Sequence, residues 1–365
     1  MPFPGRLGLV QRVVPSYRVP FFDGLSAACA GGLSLFAGQP LPLESISVAQ
    51  KLNLAHLVPA QNLHIFNPQH PFYFCYQRGL PAWLETWDPA ALILEANVRY
   101  LSSPAAIRWM QKRKRPVIGW GLGAPLSRGL LSGLRRGFLN QFDALVAYSS
   151  KGAQEYARLG FPSKRIFVAS NAVAAKPTWP LPARPGRFDP QPVVLFVGRL
   201  QTRKRIPGLL KACAELPKPL QPRLVIIGEG PERENLESLA AAIYPAAEFP
   251  GPLHGPALAS YFRAADLFVL PGTGGLAVQE AMTYGLPVIV GEGDGTQDDL
   301  VRPQNGWQIQ PADDFGLLFA LQEALSDAAR LRKMGAESYR IVSDEINLGK
   351  MVGVFLEALA ALKVA

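Results

Sequence analysis

Cysteine is scarce in this chain: Cys29, Cys75 and Cys213 are widely spaced and odd in number among 365 residues. That argues against a disulfide framework and a thiolate metal site, and a reducing compartment fits best. Histidine is equally sparse, with four residues. His56, His64 and His70 are separated by eight and six positions and lack the carboxylate pattern of a zinc site. GEGDGTQDDL, 291–300, has acids without the full spacing of a calcium loop, so Asp294 and Gly295 are expected to shape the turn after a strand. No run reaches the roughly eighteen apolar residues that span a bilayer, and MPFPGRLGLVQRVV lacks the apolar stretch of a signal peptide. What is present, 48% hydrophobic residues, would build two ordinary α/β domains.

Acid is short in one half only. Residues 1–180 hold 19 Lys/Arg against 7 Asp/Glu, and residues 181–365 hold 18 against 21, which together make the net +9. Two surfaces with different partners are implied. The basic cluster RWMQKRKRP, 108–116, precedes SRGLLSGLRRGFLNQF, 127–142, where Leu130, Leu131, Leu134, Phe138 and Phe142 fall at helical spacing beside Arg128, Arg135 and Arg136. Such a segment could lie on an anionic membrane or pack on its own domain with a solvated basic edge. With no zinc-finger spacing or recognition-helix motif, nucleic acid is not expected as a partner.

Apolar runs alternate with helical patterns along the whole chain. Residues 5–14, 91–96, 115–120 and 144–149 read as strands, with a loop and helix at 17–29, which favours a largely parallel sheet. KPTWPLPARPGRFDPQP, 176–192, has six prolines and reads as a linker. The alternation then restarts: strands at 192–198, 223–230, 265–271 and 287–293, helices at 206–216, 233–243, 314–327 and 331–343. The expected division is 1–180, 181–345 and an apolar final helix, 346–365, that packs back across a domain or against another helix.

Chemistry concentrates in two loops of the second half. GRLQTRKR, 198–205, puts Gly198, Arg199 and Lys204 after a strand, where glycine permits close backbone approach and the cations can face phosphate oxygens. PGTGGLAVQEAMTYGLPVIV, 271–290, leads from a strand through a glycine loop into a helix whose N–H groups would meet a diphosphate. Glu280 falls inside that helix, where a carboxylate suits the hydroxyls of a ribose or sugar.

These segments resemble the retaining, nucleotide-sugar-dependent glycosyltransferases of family 4, which have the GT-B fold of two Rossmann-like, doubly wound domains facing a central cleft. The resemblance is specific over VLFVGRLQTRK, LVIIGEGPER and ADLFVLPGTGGLAVQEAMTYGLPVIV, and looser over the first half, at GWGLG and FVASNAV. It implies Arg199 and Lys204 on the donor diphosphate and Glu280 on the ribose. Gly198, Thr273, Gly274, Gly275 and Leu276 would line the donor, and His254 would lie near the base or serve as an ordinary loop residue. The family usually carries another acid eight residues before the second one, where this chain has Gly272. The resemblance also implies transfer to a glycan, lipid-linked or small-molecule acceptor without a required metal. Cysteine usage and the basic first half lead to an expected cytoplasmic location, with peripheral contact at the inner face of the membrane.

On the acceptor side, Trp120 and Gly121 stand where the family often places a histidine-containing loop. Trp120 could stack on a sugar or pack internally. Tyr17 and Arg18 could contact acceptor or stabilise their loop, and Asn171 suits a structural amide. Two alternatives stay open: a sugar-nucleotide epimerase or phosphorylase, and a binding protein that has lost turnover.

Overall fold

The computed structural model describes residues 2–44, 46–124, 130–274, 276–293 and 295–362, without the side chains of Leu130 and Leu131. Gly275, Arg128 and Asp294, singled out above, lie outside the described residues. The chain divides into two compact units, Met1–Val173 with Leu348–Ala365, and Ala174–Asn347.

In the first unit the strands are β1 (Leu7–Val13), β2 (Leu33–Gly38), β3 (His56–Pro59), β4 (Gln61–Ile65), β5 (Phe74–Arg78), β6 (Ala91–Glu95), β7 (Val117–Gly121), β8 (Ala144–Ala147) and β9 (Ile166–Val168). Seven form a parallel sheet in the order β3-β2-β1-β6-β7-β8-β9, and β4 and β5 form a separate antiparallel hairpin. Continuous apolar runs such as ALIL in β6 are buried throughout, as strands covered on both faces must be. The final helix, Leu348–Ala361, lies in this unit: Phe355 packs 5.2 Å from Phe21 of the helix Val19–Ala27 and 5.0 Å from Trp120.

The second unit contains β10 (Val193–Val197), β11 (Arg223–Ile227), β12 (Glu248–Gly251), β13 (Leu267–Leu270), β14 (Val288–Gly291) and β15 (Gly306–Ile309), in the parallel order β12-β11-β10-β13-β14-β15. This is the doubly wound arrangement expected from the repeated alternation. The order reverses between β10 and β13, and between β1 and β6 in the first unit. Ligands of open α/β sheets bind beyond the strand ends at such switch points.

The proline-rich segment is not a free linker, contrary to the expectation from its composition. Arg184 donates to the main-chain oxygens of Phe262, Ala265 and Tyr284 at 2.8–3.0 Å, and Trp179 Nε1 to that of Thr283 at 3.2 Å. Prolines keep the strap extended while these side chains fasten it to the second unit.

Candidate functional site

In the second unit, the loop after β10 and the loop after β13 flank the switch point and are joined to each other. Lys204, only 7% exposed, donates from Nζ to the Thr273 main-chain oxygen at 2.7 Å. Arg203 Nη1 reaches the same oxygen at 3.2 Å, and the Thr273 N–H donates back to the Arg203 carbonyl, also at 3.2 Å. Burial, and secondarily the neighbouring Arg203 charge, push the Lys204 ammonium down to about 8. Arg199 is exposed and makes no hydrogen bond or ion pair with a described residue. Gly198, where β10 ends, is half-buried.

The loop geometry accounts for Gly272. A Cβ there would lie 2.1 Å from the Arg203 carbonyl oxygen and 2.6 Å from Lys204 Cα, so the two backbones touch where any side chain would stand. Gly274 has φ +93°, the left-handed region, and its carbonyl accepts from buried Gln297 at 2.6 Å. Thr273 and Leu276 are exposed on either side of it.

Helix Leu276–Thr283 opens directly after this loop. Its Gln279 turns inward, accepting from the Ala174 N–H at 2.8 Å and donating to the Ile346 carbonyl at 2.9 Å. The next residue, Glu280, therefore faces outward. Surrounding protein desolvates its carboxyl and raises its pKa despite the side chain's open edge, and His254 opposes that rise. His254 is exposed and precedes the helix Gly255–Ala264. Cations on the loop after β10, the N-terminal N–H groups of the helix after β13 and a desolvated carboxyl form an arrangement suited to a phosphorylated, hydroxylated ligand.

In the first unit the acceptor-side candidates separate. Trp120 is 1% exposed and packed among Phe21, Phe22, Tyr148 and Phe355, as the packing alternative expects, and it stands at the wall of the cavity that Gly121 also lines. Arg18 is buried too: it donates to Asn171 Oδ1, and its guanidinium lies 5.4–5.5 Å from the ring centroids of Tyr17, Trp120 and Tyr148. Arg18 and Asn171 are therefore structural ties, and only Tyr17 of the pair is exposed. Gly121 lines a cavity of about 480 Å³ with Glu95, Asn97, Tyr100, Arg135 and Tyr148.

Glu95 was not anticipated. It ends β6 at the switch point, accepts the Arg12 N–H at 2.6 Å and a hydrogen bond from Tyr100, and desolvation raises its pKa. The available signal was a lone acid terminating the buried run ALILE. Other sequence candidates are accounted for by pairing: Arg113 with Glu85 at 3.0 Å, Arg115 with Asp88, and His64 with the Tyr73 hydroxyl at 3.0 Å. Among the described residues, no group of three or more His, Cys, Asp or Glu could hold a metal ion, and no helix is long and apolar enough to cross a membrane.

Residues 178–341 match the family model described as glycosyl transferases group 1. The chain is 36% identical over 169 residues to a GDP-mannose-dependent alpha-mannosyltransferase of Mycolicibacterium smegmatis, covering 43% of this chain and 42% of that enzyme. It is 23% identical to the lipopolysaccharide core biosynthesis glycosyltransferase LpsE of Rhizobium meliloti, covering 76% and 87%. A sucrose-phosphate synthase structure from Thermosynechococcus elongatus superposes with a TM-score of 0.69 at 20% identity over 98% of this chain and 99% of that one. The fold is thus GT-B-like, and the second unit is related by sequence to glycosyltransferases. The chain spans less than half the length of the first of these curated relatives.

Proposed function

We propose that the protein is a retaining glycosyltransferase of family 4 that takes a sugar from a nucleoside-diphosphate sugar and delivers it to a glycan, lipid-linked or small-molecule hydroxyl. The Lys204–Thr273 junction carries this reading, because it brings Arg203 and Lys204 beside the loop that opens the Glu280 helix. In it, Arg199 and Lys204 neutralise the diphosphate, Glu280 accepts the ribose hydroxyls, and His254 lies toward the base. Gly198, the main chain of Thr273–Gly274 and Leu276 line the donor. With Gly272 closed to any side chain, main-chain groups rather than an acid recognise the sugar.

Transfer with retention breaks the bond from the anomeric carbon to the diphosphate oxygen while the acceptor oxygen bonds that carbon on the same face. The acceptor proton passes to the departing phosphate. Arg199 and Lys204 stabilise the developing charge, so this reading requires no divalent cation. On the acceptor side, the carboxyl of Glu95 and the amide of Asn97 suit a hydroxylated ring, and a cytoplasmic or inner-membrane setting suits a lipid-linked one.

A donor panel read by thermal shift tests the donor assignment, since a ligand that binds the folded state stabilises it. A nucleoside-diphosphate sugar should raise the melting temperature, and Glu280→Gln should shrink the response because an amide cannot replace both carboxylate acceptors. Mass detection of the sugar on an acceptor, in chelator, then establishes transfer. A protein that responds to no donor, or a Glu280→Gln variant that responds as wild type does, rejects the assignment.

A further inference from the structure

The hairpin β4–β5 is inside out. Asn62, His64, Cys75 and Gln77 alternate onto the side turned toward the protein, where Gln77 donates to the Gln11 carbonyl at 3.0 Å and Asn62 to that of Arg12 at 2.8 Å. Leu63, Ile65 and Tyr76 alternate onto the exposed side, with Leu63 directly opposite Tyr76. A half-buried hairpin normally shows the opposite polarity.

At the tip the exposure increases. Phe66 is 58% and Phe72 is 68% exposed, and His70 stacks on Phe66 with ring centroids 4.2 Å apart. Phe66 has φ +63°, a conformation that costs a bulky residue energy and that surrounding contacts must hold. The tip is ordered by Tyr73 N–H donating to the His70 carbonyl at 3.0 Å and Phe72 N–H to His70 Nδ1 at 3.1 Å. Leu101, 45% exposed, extends the apolar surface through its N–H bond to the Cys75 carbonyl.

Charge selects the occupant. From residue 45 to residue 84 the sequence has no Asp or Glu at all, while Arg78 at the end of β5 and Arg99 beside Cys75 are exposed. A symmetric contact with a second copy would set these cations against themselves with no hairpin acid to pair them. We propose that this face docks on an anionic phospholipid bilayer, with Phe66, Phe72 and Tyr76 entering the headgroup boundary and Arg78 and Arg99 meeting lipid phosphates. This assignment rests on the surface alone and is independent of the transferase reading.

Sedimentation of the full chain with phosphatidylcholine vesicles, with and without phosphatidylglycerol, tests it. Wild type should bind the anionic vesicles. Phe66→Ser with Phe72→Ser should weaken that binding about tenfold or more, and Arg78→Gln with Arg99→Gln should remove the preference for anionic lipid. Because Cys29, Cys75 and Cys213 are buried, a Phe72→Cys variant can be labelled with an environment-sensitive dye whose emission should shift blue on vesicle addition. That label keeps the test valid if the serine variant misfolds. The proposal is overturned if wild type ignores anionic vesicles, if the label does not respond while the protein binds, or if the folded serine variant binds like wild type. It is equally overturned if ultracentrifugation shows the face to be buried in a dimer that cannot bind vesicles.

Discussion

Lys204 Nζ and the main-chain oxygen of Thr273 are 2.7 Å apart across 69 positions of sequence. That bond uses one of three ammonium donors and leaves the others for a ligand. Lys204→Met keeps the apolar stem but removes the charge, and nucleoside-diphosphate binding should fall about tenfold or more. Titration calorimetry on the folded variant checks this.

The same lysine sets a pH limb. Because its free-state pKa is lowered to about 8, the charged form dominates below that pH, where diphosphate affinity should be highest. Affinity should decline as pH rises through 8, and the bound anion should hold the ammonium protonated to higher pH. Lys204→Arg should flatten the alkaline limb; the same limb in both proteins would assign it to another group.

Gly272→Asp, which places an acid at this position, should harm rather than help. Its Cβ would meet the Arg203 carbonyl oxygen at 2.1 Å, so the loops must part. A cost on the order of 2 kcal/mol or more is expected. Melting temperature and donor response should fall together.

Arg184→Ala tests the strap. Four main-chain oxygens, of Phe262, Arg263, Ala265 and Tyr284, lose their guanidinium donor. Urea denaturation should show a loss of about 2–4 kcal/mol, on the scale of charged hydrogen bonds and partners left unsatisfied.

Glu95→Gln separates acceptor binding from folding. The amide oxygen can still accept the Arg12 N–H, so the melting temperature should change little. Acceptor KM should rise about tenfold, the scale of one charge-assisted hydrogen bond, while donor Kd stays unchanged. Equal losses in both would make Glu95 purely structural.

The two rounds of strand and helix and the buried parallel strands were legible in the sequence, and so was the concentration of glycines and cations in 198–205 and 271–280 that marks the candidate site. Each is a local property: apolar periodicity, glycine before a helix, cations after a strand. The tertiary contacts alone show that Arg203 joins Lys204 on Thr273, and that Gly272 stands where two backbones touch. The proline-rich segment likewise became a strap because the carbonyls Arg184 needs come from residues about eighty positions away. Composition could not place the final helix either, since an apolar face suits many partners; Phe355 found Phe21 and Trp120. Glu95 and the inverted hairpin were visible as letters, but their roles depend on which face turns inward. In a strand that is settled by the neighbours it meets, because the same alternation fits either orientation.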